Sequence, residues 1–429
     1  MSKFQVITLA IFILAIVAGV IAFATYKNDS TTTALPSITI WGTFPSSVFD
    51  QYVAETNNTL DSPVKVSYVE KTPEKFSQEF VSALARGLGP DVILIPADRI
   101  LTEANKLTSI PYTALTQREF KDKYIQEAQI YLNSEGTLAL PFTIDPLVLY
   151  WNRDIFNVAG LVTFPRYWDE FSALNQKLTV KDQNGNIRKS AVAFGTFNNI
   201  TNAREILGTL IMQAGNTITG RDADGAIVST LGNRSGSDPA PAVKFFAKFA
   251  DPANTDYSWN RGLLNDKVFF LAGNLATYIG LASEISDIRS KNNNLNFDVA
   301  PLPQTRNGGK TVSYGRMYGF SIVRASGKQN AAYQTIAILS SPSRLQSLSQ
   351  KMYIPSVLNT LNQGSSDPYM DNFQRAALIS RTWLDADPTQ SRRIWGTMID
   401  VLISGKKSVS DAISDAHDEY DLVLKQAVQ

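Results

Sequence analysis

The sequence predicts an α/β fold built on a buried, mostly parallel sheet, with one transmembrane helix ahead of it. Three observations carry this expectation. Short apolar strands alternate with amphipathic helices from Ser37 to Ile95. The last of those strands, Asp91 to Ile95 (DVILI), is apolar almost throughout, as a strand covered on both faces must be. Ahead of all of them, Phe4 to Ala24 is an uncharged, predominantly apolar run of 21 residues.

At about 1.5 Å per residue, that run spans a hydrocarbon core of roughly 30 Å. Secretory h-regions are shorter, about 7–15 residues, so residues 1–27 read as an uncleaved signal anchor. Cleavage after Ala22-Phe23-Ala24 is the alternative. Lys3 on the leading side favours a cytoplasmic N-terminus, leaving the remainder of a single-pass membrane protein on the extracytoplasmic side. Residues 28–36, polar and rich in Ser and Thr with Pro36, read as a linker.

The body follows in order. Ser37 to Trp41 (SITIW) is a strand that ends at the Gly42-Thr43-Phe44-Pro45 loop. Val48, Phe49, Tyr52 and Val53 have helical spacing, and Val64 to Val69 alternates as a second strand. Lys75 to Arg86 is predicted as a helix with Phe76, Phe80, Val81 and Leu84 on one face, stopped by Gly87 and Gly89. With DVILI this makes a β-α-β-α-β rhythm. Two strand pieces are expected around Asp145-Pro146, between Thr137 and Leu149, followed by short helices at Asp154 to Gly160 and Tyr167 to Leu178. The DQNG and DADG segments at 182–185 and 222–225 are hairpin turns. The second lacks the spaced acidic ligands and terminal Glu of a calcium loop. Helices are expected at Arg204 to Gln213, Ala240 to Phe249 and Lys267 to Phe270, and strands at Leu275 to Ile279, Phe297 to Val299 and Tyr318 to Val323. The rest reads as helical: Ala331 to Leu339, Asn372 to Trp383, Arg392 to Ile403 and Val409 to Leu424.

Composition narrows the chemistry. Forty Lys+Arg against 39 Asp+Glu leave no basic surface for nucleic acid. Cysteine is absent, which removes disulfides, thiolate metal sites and a cysteine nucleophile. The single histidine, His417, leaves no histidine cluster for a metal. No cofactor is expected.

Several segments, in their order, resemble extracellular solute-binding proteins of family 1, the maltose-binding-protein-like group. These are Ile38 to Gly42, the Gly87-Leu88-Gly89-Pro90-Asp91 step, and Leu140-Pro141-Phe142 through Asp145 into Leu149-Tyr150-Trp151-Asn152-Arg153-Asp154. Pro165 to Phe171, Phe270 to Ala276, Ala300 to Pro303 and Ile403 to Ile413 follow. Arg153 stands where the family usually has Lys, and Trp151 where it has Tyr. The resemblance implies a two-lobed periplasmic-binding-protein fold of type II-like topology, crossed by hinges near Asp145, Pro301 and Pro355. The lobes would be 37–145 with 303–352, and 146–302 with 353–429. It also implies the substrate-binding component of an ABC importer, with permease subunits as partners and a small solute, a sugar first of all, as ligand.

A sugar cleft needs aromatic planes for the ring faces and planar polar side chains for neighbouring hydroxyls. Candidate ligand-binding residues are Trp41 and Phe44 of the first loop, Asp98 and Arg99 after the third strand, and Asp145 and Trp151 beyond the first crossing. Asn198, Tyr278 and Gly280 follow in the second lobe, then Tyr314 and Arg316 in the YGRMY cluster, and Trp395 on a C-terminal helix. Phe44, in a Gly/Pro loop, is expected to face the cleft. For Trp41, Trp151 and Trp395, packing in the interior is the competing reading, and for Asp98 it is a helix cap. A glycosidase would need two carboxylates flanking one bond. Nothing in the sequence divides Asp98 and Asp145 into acid and base, so no enzyme is expected. A membrane-anchored sensory or adhesion ectodomain with the same binding fold is the alternative function.

Overall fold

The computed structural model describes residues 36–58, 64–232, 238–306 and 309–428. The expected membrane anchor at 1–27, and all of the linker but Pro36, lie outside the described residues. Among the described residues, no helix is long and apolar enough to cross a membrane.

The first three strands are β1 (Ser37–Gly42), β2 (Lys65–Glu70) and β3 (Val92–Pro96), which pair in parallel in the order β2-β1-β3. Helices α1 (Ser46–Asn57) and α2 (Phe76–Ala85) connect them. Every residue of β3 is buried, which accounts for its unbroken apolar sequence. On α2 the core-facing stripe is Phe76, Phe80 and Ala83. Val81 was expected on that face but is 48% exposed, because an i, i+4, i+7 stripe rotates position 81 away from the sheet.

Six further strands are β4 (Leu140–Asn152), β5 (Val180–Lys181), β6 (Ile187–Val192), β7 (Leu275–Leu281), β8 (Phe297–Ala300) and β9 (Ser313–Val323). All belong to one 11-stranded sheet, whose main path is β2-β1-β3-β9-β4-β7-β6-β5. The region around Asp145 is therefore not two strand pieces. It is a single strand of 13 residues, buried at every position. Pro146 does not break it: the residue keeps its place opposite Gly315, and its carbonyl accepts from Ala282 N. Proline removes only the donor.

Two hydrophobic cores flank this sheet. One is built from Ile38 to Ile144 together with Met317, Phe320 and the segment through Leu358. The other runs from Leu147 to Leu302, takes in Val312 and Tyr314, and includes Trp383, Trp395 and the C-terminal helix. β4 and β9 are thus the antiparallel strands common to both, with Asp145 opposite Arg316 where the core changes. The sequence reading puts the return crossings at 303 and 353, earlier than the cores change. Gln304 stays with the second core because its carbonyl accepts from Trp168 N, and Val357 stays with the first because its carbonyl accepts from Ile125 N.

Near the C-terminus, the helix expected over Asn372 to Trp383 is Pro368–Leu378. It stops there because Ser380 and Arg381 pair in parallel with Ser313 and Tyr314 of β9. The helix Pro342–Met352, buried through Leu345 and Leu348, has no counterpart in the sequence reading. Helices α3 (Ala203–Gln213), α4 (Pro388–Ile403) and α5 (Val409–Val428) complete the elements that bear on function.

Candidate ligand-binding cleft

Polar residues that follow a buried parallel strand are delivered to its C-terminal edge, where α/β sheets hold their ligands. β1 and β3 place Thr43, Asp98 and Arg99 at that edge, and β9 adds Arg316 and Tyr318. The second lobe faces them with Arg204 and Glu205 from the first turn of α3, and with Thr389 and Arg392 from α4. Together these walls enclose a cavity of about 380 Å³.

Its floor is a buried charge cluster. The Arg204 guanidinium donates to Asp98 Oδ2 at 2.7 Å, to Asp385 Oδ2 at 2.8 Å and to Glu205 Oε1 at 3.1 Å. It also donates to Ser391 Oγ at 3.1 Å, and that hydroxyl donates onward to Asp385 at 2.6 Å. Burial opposes the charge on Arg204, but Glu205, Asp98 and Asp385 outweigh it and hold the guanidinium above its ordinary pKa. Burial likewise raises Glu205, yet Arg204 and Arg316 prevail and hold its carboxyl below the usual range. For Asp385 the balance reverses: burial wins over Arg204 and pushes the carboxyl up.

Aromatic rings back this cluster. Arg204 lies over Trp383 at 5.3 Å from the ring centre, Trp383 stacks on Trp395 at 5.7 Å, and Tyr314 tilts against Trp383 at 5.3 Å. Trp383 also lines a second hollow of about 440 Å³, bounded by Glu127 of the first lobe and Arg381 of the second. Asp98 Oδ1, Tyr314 OH, and the indole nitrogens of Trp383 and Trp395 are buried with no hydrogen-bond partner among the described residues. Such atoms are costly unless something polar reaches them.

Of the candidates named from sequence, the cavity gathers Asp98, Arg99 and Arg316. Asp98 caps no helix, since the turns that follow it have no side-chain cap. Phe44 does not face the cleft: it is buried, with its ring 4.5 Å from that of Tyr318 and further contacts to Phe49 and Phe142. A phenyl ring beside that cluster leaves more water by joining it than by lining a polar gap. Trp41 sits at the end of β1 with the Lys71 ammonium 3.9 Å from its ring centre. Trp151 packs on Phe156 and Phe164 in the second core. Trp395 is fully buried behind Trp383.

Asp145 is buried at the crossing and accepts from Ser283 N at 3.0 Å and Ser283 Oγ at 2.7 Å. Tyr278 lies inside the second lobe and donates to Glu284 at 2.6 Å. Gly280 sits against it, where a Cβ would come within 2.4 Å of the Tyr278 ring. Asn198 is exposed and lines neither cavity. Sequence reasoning missed Arg204, Glu205, Thr389 and Trp383. The available signal for the first two was an Arg-Glu pair heading a helix buried at every position.

Residues 36–343 match the model of the family described as bacterial extracellular solute-binding protein. A galactooligosaccharide-binding protein of Bacillus subtilis (strain 168) is 21% identical over 367 residues, covering 82% of this chain and 81% of the relative. Among solved structures, the cyclic alpha-maltosyl-1,6-maltose binding protein from Arthrobacter globiformis superposes with a TM-score of 0.73 at 17% identity, covering 91% of this chain and 100% of that one. The extracellular solute-binding protein from Staphylococcus aureus in complex with maltose gives 0.70 at 15% identity, with 91% and 98% covered. The family match spans well over half of the sequence, and the two-lobed α/β architecture is that of the solved relatives: the chain belongs to the bacterial extracellular solute-binding protein family.

Proposed function

We propose that this protein captures a small carbohydrate between its two lobes and delivers it to the permease subunits of an ABC importer, without catalysis. The observation that carries this reading is the cavity of about 380 Å³ walled by both lobes, with guanidinium forks and carboxylates set for vicinal hydroxyls. The names of the relatives support a saccharide: a galactooligosaccharide for one, maltose for another. The run Phe4 to Ala24 supports tethering to the cell membrane by a helix rather than a lipid, since the chain has no cysteine to acylate. The lobes then act as bodies hinged at β4 and β9.

A thermal-shift screen of sugars, amino acids, polyamines and phosphate esters tests this. A ligand at a hundred times its dissociation constant adds about 2.7 kcal/mol to stability. Oligosaccharides are expected to raise the melting point. A shift produced only by amino acids or anions would overturn the sugar assignment.

A further inference from the structure

The chain's own side chains bridge the cleft. Arg204 is anchored in the second lobe by Glu205, Asp385 and Ser391, and its remaining Nη2 contact is Asp98 of the first. Both partners of that cross-lobe pair are buried, with the Arg204 side chain 4% exposed. One helical turn beyond Asp98, Thr102 Oγ donates to the carbonyl of Ala386 at 2.5 Å, the residue next to Asp385. The guanidinium is therefore held from behind and presented forward.

We propose that Arg204 is an interlobe latch: it clamps Asp98 and holds the cleft shut through contacts internal to the chain, so that a solute must break this pair to enter. The inference rests on the cleft being the solute site and describes how access to that site is regulated. The pairing is directional. Oδ2 of Asp98 is taken by the latch, while Oδ1 has no partner among the described residues and is the acceptor left for a solute hydroxyl. An ion pair shielded from water is screened little by salt, so the latch persists at ionic strengths that dissolve exposed bridges such as Arg118–Asp122. A ligand shifts the equilibrium between open and shut forms only through its differential affinity for them. A latched protein that is already shut therefore shows little further closure when sugar is added.

The test measures interlobe distance. The chain contains no cysteine, so Ser82→Cys on the first lobe and Gln390→Cys on the second accept spin labels uniquely. Distances are recorded by pulsed electron spin resonance in the full chain held in micelles, with and without maltotriose or galactooligosaccharide. In otherwise unaltered protein, the short distance should dominate in both conditions. Asp98→Asn should move the sugar-free population toward a longer distance at least tenfold. Arg204→Ala should do the same, but it also strips Glu205 and Asp385 of their counter-ion and can unfold the second lobe. Asp98→Asn leaves those contacts in place, so it decides. The latch is refuted if sugar-free unaltered protein already populates the long distance as Asp98→Asn does, or if Asp98→Asn stays short. A protein that answers to no sugar defeats the transport reading, but the sugar-free distances still decide the latch.

Discussion

Asp145 offers a direct test of the electrostatics at the crossing between lobes. Its carboxyl is 4% exposed in the middle of β4. Burial raises its pKa from 3.8 to about 6, against the opposing hydrogen bonds from Ser283 and the charge of Arg316. The folded state therefore holds this proton more tightly than the unfolded chain. Its contribution to stability is complete below about 3.8 and is lost as pH rises through about 6. A shift of about two units corresponds to about 3 kcal/mol at neutral pH. Asp145→Asn removes that penalty while keeping the geometry, because the amide oxygen accepts from Ser283 N and the amide nitrogen donates to Ser283 Oγ. Urea unfolding followed by tryptophan fluorescence, in steps from pH 4 to pH 8, gives the difference between variant and parent. The stability gap should be small at pH 4, open between pH 4 and 6, and level off at about 2–3 kcal/mol in favour of Asn. Other buried acids titrate in both proteins and cancel. A gap that fails to grow over this range would show that burial does not dominate at Asp145.

Three further outcomes follow from the same structure. Glu127 accepts from Thr382 N across the lobes, and burial holds its proton up to about 8. The stability it lends is complete below about 4.5 and is lost as pH rises through about 8, so Glu127→Gln should gain on the parent between pH 4.5 and 8 in calorimetry and gain no more above that. Gly195 adopts φ +88°, and a Cβ there would lie 2.5 Å from Ala250 N. Gly195→Ala should cost about 2–4 kcal/mol, read from the urea midpoint. Phe44→Ala should cost about 3–5 kcal/mol of stability while leaving sugar affinity of the folded protein within about twofold by calorimetric titration, since the ring belongs to the core and not to the cleft.

What was legible in the sequence depended on how far apart the interacting residues lie. Asp98 and Arg99 were readable as site residues because a polar pair directly after a buried strand has one place to go, the strand's C-terminal edge. Arg204 was not, because its partners Asp98 and Asp385 are 106 and 181 positions away, and no periodicity reports such a pairing. The aromatic candidates were harder to sort for a different reason. A ring that stacks on a sugar and a ring that fills a core are the same chemical object, and only surroundings separate them. Trp151 found Phe156, Tyr278 found Glu284 and Phe270, and Trp395 found Trp383. The single-strand character of β4 was hidden by Pro146, whose local preference to interrupt is overridden because Ala282 supplies a donor to its carbonyl.

The two crossing strands also constrain where motion is allowed. Gly315 leaves no room for change at the crossing, since a Cβ there would lie 2.5 Å from Ser380 Oγ and 2.8 Å from Ile144 Cδ1. Asp145 is held by Ser283, which belongs to the same lobe as the residues that follow it in β4. The ladder between β4 and β9 is therefore unsuited to breaking, and opening must come from bending along it. The side-chain contacts that would part on opening include Asp98 with Arg204, Thr102 with Ala386, Glu127 with Thr382, and Arg381 with Gln126 and Glu127. In each, one partner comes from the first lobe and the other from the second. Several of these depend on a carboxyl of the first lobe, and Leu101 of that lobe also packs against the second core, so closure combines polar pairing with apolar contact at the cleft.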